Sequence, residues 1–190
     1  MLFRSRVILF DGAMGTELYA RGVFINRCYD ELNVTQPDLV REIHAAYRNA
    51  GADVLTTNTF GANPVRLAAF GLEGRMADIN RAAVRVAHQE ARDRCWVAGS
   101  MGPTGATLAP VGKLTPGEAF ACFKAQAEVL SEGVDLFVLE TFTHLSELWQ
   151  AVRAVRAVSD KPIVACMSFH FVGPEQAQIE GESQIGRAHV

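Results

Sequence analysis

The gaps in this sequence narrow its reading first. No apolar run approaches the ~20 residues that a membrane-spanning helix needs. There is no basic excess: 18 Lys and Arg stand against 21 Asp and Glu, a formal net charge of −3. That balance offers no electrostatic footprint for nucleic acid or an anionic membrane. The apolar start, "MLFRSRVILFDG", is too short for a secretory leader, so a cytoplasmic location is the expectation. Close cysteine pairs are missing too. Cys28, Cys95, Cys122 and Cys166 are scattered without metal-ligand spacing, and should be reduced. Cys95, Cys122 and Cys166 sit in apolar segments and read as core residues. No P-loop, no Gly-x-Gly-x-x-Gly fingerprint and no Ser/His/Asp constellation is present.

What remains is an ordinary apolar fraction of 49%, arranged with a clear order. Five nearly continuous, β-branched runs read as strands buried on both faces: 7–10, 54–57, 96–98, 136–139 and 163–167. Helical periodicity fills the gaps. One helix spans about 37–50, with Thr35 as cap, a stripe of Leu39, Ile43, Tyr47 and Ala50, and Gly51 as stop. Others cover about 75–92, from the Thr115-Pro116-Gly117-Glu118 cap to Gly133, and a stretch carrying Leu145, Leu148, Val152 and Val155. His44 and His88 read as surface or second-layer residues of these helices. The order βαβαβαβαβ predicts an α/β chain with a parallel sheet.

The segment "GADVLTTNTF" from Gly51 is echoed by "GVDLFVLETF" from Gly133. The echo sets Asn58 and Glu140 at equivalent strand ends. Repetition of one βα unit favours a (β/α)₈ barrel, whose active sites lie at the carboxyl ends of the strands. Such a barrel takes about 250 residues, so 190 residues with five strands read as a barrel truncated after about five βα units. The alternative is an open five-stranded doubly wound sheet. The last residues, "QIGRAHV" (184–190), match the translation of a common sequencing-adapter start and are set aside, which leaves residues 1–183 as the partial barrel domain.

Three polar groups would meet at the strand ends: Asp11, Asn58 and Glu140. A carboxylate at the edge of a core must be paired or bind something. Two carboxylates with no arginine nearby suit a ligand ammonium group. The backbone amides of Gly12 and Ala13 could hold the ligand's carboxylate. Together these make a pocket for the head of an amino acid. The loop "GSMGPTG" (99–105) reads as a backbone-shaping element at its mouth.

These stretches are specific enough to compare with a family. "LFDGAMGTEL", "NRCYDELN", "ADVLTTNTFGAN", "GSMGPTG", "LFVLETF" and "PIVACMSF" together resemble the homocysteine S-methyltransferase domain, of the kind found in methionine synthase and in bifunctional methyltransferase–methylenetetrahydrofolate reductases. The resemblance implies a (β/α)₈ barrel in which zinc activates the homocysteine sulfur as a thiolate that accepts a methyl group, giving methionine. It implies Asp11 and Glu140 on the homocysteine ammonium, the Gly12 and Ala13 amides on its carboxylate, and Thr57 and Asn58 lining the pocket. The donor it implies is methylcobalamin or methyltetrahydrofolate, with S-methylmethionine and betaine as other options, and a fused folate, cobalamin or reductase domain as a possible partner. The family's zinc cysteines lie in Gly-x-Asn-Cys and Gly-Gly-Cys-Cys motifs, and neither occurs here. The expectation is therefore a homocysteine-binding fragment whose zinc ligands are missing. The competing readings are a fragment of another (β/α)₈ enzyme, such as a phosphate-binding lyase, or a non-catalytic amino-acid-binding module.

Overall fold

A computed structural model of the chain describes residues 6–171 and 177–178; the 184–190 tail lies outside them. Four parallel strands form one sheet in the order β1-β2-β3-β4. They are β1 (Val54–Thr56), β2 (Trp96–Met101), β3 (Leu136–Phe142) and β4 (Ile163–Met167). Strand order follows chain order, so every crossover winds the same way. A doubly wound sheet needs a reversal of strand order, and none occurs among the described strands. The crossover helices pack in sequence, α3 (Pro37–Asn49) on α5 (Met76–Ala91), α5 on α6 (Pro116–Ser131) and α6 on α7 (Leu145–Arg156). Three shorter helices, α1 (Met14–Ala20), α2 (Leu32–Thr35) and α4 (Pro64–Ala68), a 3-10 turn at Glu73–Arg75, and a short pairing of β5 (His170–Phe171) with β6 (Ala177–Gln178), complete the described elements.

The expected first strand is much reduced. Residues 7–10 make a single bridge, Phe10 to Val54, flanked by bonds from Asp53 N and Val54 N to Leu9 O and from Asp11 N to Val54 O. Val7 and Leu9 are 89% and 54% exposed, so this run is not buried on both faces. β4 at the opposite edge also has exposed positions. Edge elements lack a second neighbour to cover them, which explains both departures.

Period-two alternation divides the inner strands. Leu55, Val97, Met101, Phe137 and Leu139 join the core under the helices, with Phe123 of α6 and Val155 of α7. Each such fully buried side chain contributes roughly 1.5–3 kcal/mol. Val54, Ala98, Leu136 and Val138 face the other way and form a second, smaller cluster with Ile8, Phe10 and Val164. The inward parity, carried on toward the carboxyl ends, gives Thr56, Ser100 and Glu140. That is how the sheet delivers polar groups to one place.

The predicted echo has a structural cause. Asp53 N donates to Leu9 O while an Asp53 carboxylate oxygen accepts Leu9 N–H. Asp135 repeats this two βα units on, with Val97 O and Val97 N–H. Each aspartate clamps its strand to the preceding one. The echo ends at the strand tips. β1 stops at Thr56, whereas β3 runs on through an irregular register between Leu139 and Phe142, with Thr141 at φ 64°.

Among the helices, the Thr115–Glu118 capping box forms as read. Thr35 is not the cap of α3. It ends α2 and bonds Glu31 O, while Gln36 precedes α3. The buried stripe of α3 is Val40, Ile43 and His44, rotated by one position from the expected stripe, and Ala50 is exposed. Gly51 takes φ 102° as a helix stop should. Gly133 is needed for space, since a Cβ there would lie 2.6 Å from Val84.

Candidate functional site

A cavity of about 820 Å³ opens at the carboxyl ends of the strands, and Asp11, Gly12, Ala13, Thr57, Asn58 and Glu140 all line it. The structure thus brings together every residue singled out in the sequence. It also changes what several of them do.

Asp11 is half-buried where the 7–10 segment leaves the sheet. Thr56 N–H donates to its Oδ2 at 2.7 Å and Thr56 Oγ1 to its Oδ1 at 2.6 Å. Burial raises its pKa to about 6; the two Thr56 bonds oppose this, and the charge of Glu140 adds to it. Glu140, across the cavity on β3, accepts a hydrogen bond from Ser100 Oγ. Two carboxylates therefore face one space, and neither forms an ion pair among the described residues. Such a site favours a cation that makes hydrogen bonds.

The chain between Asp11 and α1 passes close under Tyr47. A Cβ on Gly12 would lie 2.8 Å from the Tyr47 ring, and Tyr47 Oη donates to Ala13 O at 3.2 Å. The N–H groups of Gly12 and Ala13 have no partner among the described residues.

Thr57 and Asn58 serve mainly as supports. Thr57 Oγ1 accepts Ser100 N–H and pairs with Thr59 Oγ1. Asn58 Nδ2 donates to Tyr29 O, and Asn33 Nδ2 donates to Asn58 O. These bonds clasp residues 29–33 to the tip of β1. Asp30 completes the clasp: its Oδ1 accepts Gly61 N–H at 2.9 Å, and Cys28 Sγ lies 3.8 Å from its Oδ2. Burial raises Asp30 to about 6 as well.

Sequence reasoning missed Thr56, Ser100, Asp30, Arg27, Arg66, Cys28 and Cys166, all of which line the cavity. Strand parity, followed past the apolar residues, would have found Thr56 and Ser100. Asp30 and the two arginines come from loops and a short helix, where no period exists to follow. The expectation of no nearby arginine is corrected: Arg27 and Arg66 share the wall. Cys166 is exposed on the inner side of β4 rather than in the core. His44, expected near the surface, is fully buried in α3. The "GSMGPTG" stretch contributes Ser100 alone to the lining. Its first three residues are strand, Gly102 lies against the Phe60 ring, and Thr104 is anchored to Glu147 through N–H and Oγ1.

A zinc centre needs three or four gathered, deprotonated ligands. Among the described residues no three His, Cys, Asp or Glu are so placed. Burial pushes the Cys28 thiol up to about 11, with Asp30 adding to the effect, and burial also raises Cys166. The cavity's cysteines, Cys28 and Cys166, therefore stand outside any gathered set of three donors among the described residues, and that arrangement does not fit a closed zinc site.

Comparison with known proteins agrees on the fold's kinship. The family model for homocysteine S-methyltransferase matches residues 8–186. Methionine synthase of Mycobacterium tuberculosis (strain ATCC 25618 / H37Rv) is 33% identical over 165 residues, covering 80% of this chain and 14% of that protein. Its counterpart from Mycobacterium leprae (strain TN) is 32% identical over 165 residues, with the same coverage of 80% and 14%. Among solved structures, the metallated form of the homocysteine methyltransferase MmuM from Escherichia coli superposes with a TM-score of 0.72 at 28% identity, covering 84% of this chain and 62% of that one. The chain thus spans about one seventh of the curated relatives it matches and under two thirds of the MmuM chain.

Proposed function

The chain belongs to the homocysteine S-methyltransferase family, and from that premise we propose that its described residues are the homocysteine-holding part of a methyltransferase that makes methionine. On this reading the four parallel strands are an arc of a (β/α)₈ barrel, which with the 7–10 segment accounts for about five βα units. The observation that carries the reading is the pair Asp11 and Glu140, two carboxylates facing one cavity and ion-paired to no side chain among the described residues. The homocysteine ammonium would sit between them and relieve their repulsion. The unpartnered amides of Gly12 and Ala13 take the carboxylate, while Thr57 and Asn58 hold the wall in shape. The sulfur then points into the remaining space.

Zinc, in the family this chain resembles, lowers the thiol pKa so that the nucleophile exists at neutral pH. Its ligands would have to come from outside the described residues. The cytoplasm is the proposed location, and among the described residues no helix is long and apolar enough to cross a membrane. The methionine synthase relatives favour a folate-linked donor, with fused folate or cobalamin domains as partners.

Calorimetric titration of the purified chain with L-homocysteine tests the reading. Binding should occur, should weaken about tenfold or more in Glu140→Gln, and should yield no methionine when methyltetrahydrofolate, S-methylmethionine or betaine is added. Unchanged affinity in Glu140→Gln, or methionine formed by the chain alone, would refute it.

A further inference from the structure

The cavity has a second end. Arg66, on α4, lays its guanidinium over the Phe60 ring at 5.1 Å. It lies beside Gly61, where an added Cβ would meet Arg66 Nε at 3.5 Å and Asp30 Oδ2 at 2.7 Å. Asp30 is itself fixed by Gly61 N–H. Phe60 is fixed in turn, because Gly102 lets the ring approach to where a Cβ would be 2.4 Å away. The guanidinium therefore rests on an aromatic face, with a buried carboxylate nearby that does not ion-pair with it.

Other arginines of the chain have found acceptors: Arg48 bonds Glu90, Arg75 bonds Glu31 and Arg81 bonds Glu132. Arg66 and its neighbour on the wall, Arg27, donate side-chain hydrogen bonds to no acceptor among the described residues, and both line the cavity. A guanidinium held flat with its N–H groups unspent is suited to a carboxylate fork.

Arg66 and the acidic pair have different neighbours. Arg66 lies over Phe60 and beside Gly61 and Asp30, whereas Asp11 is bonded to Thr56 and Glu140 to Ser100. In one amino acid the ammonium and carboxylate share a single carbon, so a homocysteine anchored at Asp11 and Glu140 keeps its own carboxylate near them. The cavity, at about 820 Å³, lies toward the large end of the roughly 300–1,000 Å³ that suits a drug-sized ligand. A small amino acid leaves room for a second molecule.

We propose that Arg66, seated on Phe60 and helped by Arg27, binds the carboxylate of the methyl donor, so that the cavity holds homocysteine at its acidic end and a carboxylate-bearing donor at its basic end. This rests on the homocysteine reading of the acidic end. The apolar side chains on the same wall, Phe70 and Ile25, are exposed and give the donor's non-polar body a surface.

The test titrates the full chain with S-methylmethionine, betaine and methyltetrahydrofolate, each with and without homocysteine, and repeats this for Arg66→Gln, Arg66→Lys and Arg27→Gln. At least one donor should bind. Arg66→Gln should weaken it about tenfold or more, Arg66→Lys less, and homocysteine affinity should stay within about twofold. If Arg66→Gln does not fold, Arg27→Gln and Arg66→Lys should still weaken the donor selectively. The proposal is overturned if no donor binds, if the arginine variants bind it as the unaltered chain does, or if they weaken homocysteine as much as the donor. A chain that binds a donor through Arg66 but never binds homocysteine would refute the homocysteine reading and uphold this subsite.

Discussion

Replacing Asp11 with asparagine should make the protein more stable and its ligand binding worse. Burial and Glu140 raise Asp11 from 3.8 to about 6 in the folded chain. A carboxyl raised in this way is stabilising in its protonated form. Its contribution is fully present below 3.8 and is lost as pH rises through about 6. At about 1.4 kcal/mol per pH unit, the ionised group costs the folded state roughly 3 kcal/mol above both values. Asparagine mimics the protonated acid. It can accept Thr56 N–H at its oxygen and donate its amide to Thr56 Oγ1, replacing both bonds of the native carboxylate. Asp11→Asn should therefore match the native chain near pH 3.8 and exceed it by up to about 3 kcal/mol at pH 7.5. For a chain of this length that is roughly 6–12 °C in Tm. Homocysteine affinity at pH 7.5 should fall about tenfold or more, since a charge-assisted hydrogen bond is gone. Urea unfolding and calorimetry across pH 4–8 measure both. A variant no more stable at pH 7.5, or one whose gain is the same at pH 4, would refute the reasoning.

Two further outcomes follow from other buried groups. His44 is fully buried, neither ring nitrogen has a partner among the described residues, and burial lowers it to about 4 despite Glu90 nearby, which is itself held by Arg41 and Arg48. Its share of stability should be intact above 6.5 and fall by roughly 3 kcal/mol as pH drops to about 4; urea titrations of His44→Leu should show that slope flattened, and an unchanged slope would count against it. Glu147 is buried and accepts both the N–H and Oγ1 of Thr104, so Glu147→Ala should cost about 1–3 kcal/mol by urea unfolding, and Glu147→Gln, which keeps an acceptor, should cost less.

How much of this was legible can be judged residue by residue. The inner strands were readable because apolar, β-branched runs have few other uses, and the Thr115 capping box because its two bonds lie within four residues. The acidic end of the cavity was readable for a similar reason. Asp11 and Glu140 each follow an apolar run directly, and a charge there is conspicuous. Arg66 and Asp30 were not. Nothing local distinguishes them from surface charges elsewhere in the chain, and their meaning depends on Phe60, Gly61 and Gly102 meeting in space.

By itself the sequence determined the alternation of strand and helix, the direction of each strand and which strand ends carry carboxylates, because these rest on periodicity and on neighbours a few residues away. Tertiary structure alone decided that 7–10 would be an exposed edge, that His44 would be buried and Cys166 exposed, that Asn58 would clasp a loop, and that Arg27 and Arg66 would share the cavity wall with Asp11 and Glu140. Each of those depends on contacts between residues far apart in the chain, and the free energy of burial and of charge is set by what surrounds a group once the chain has closed around it.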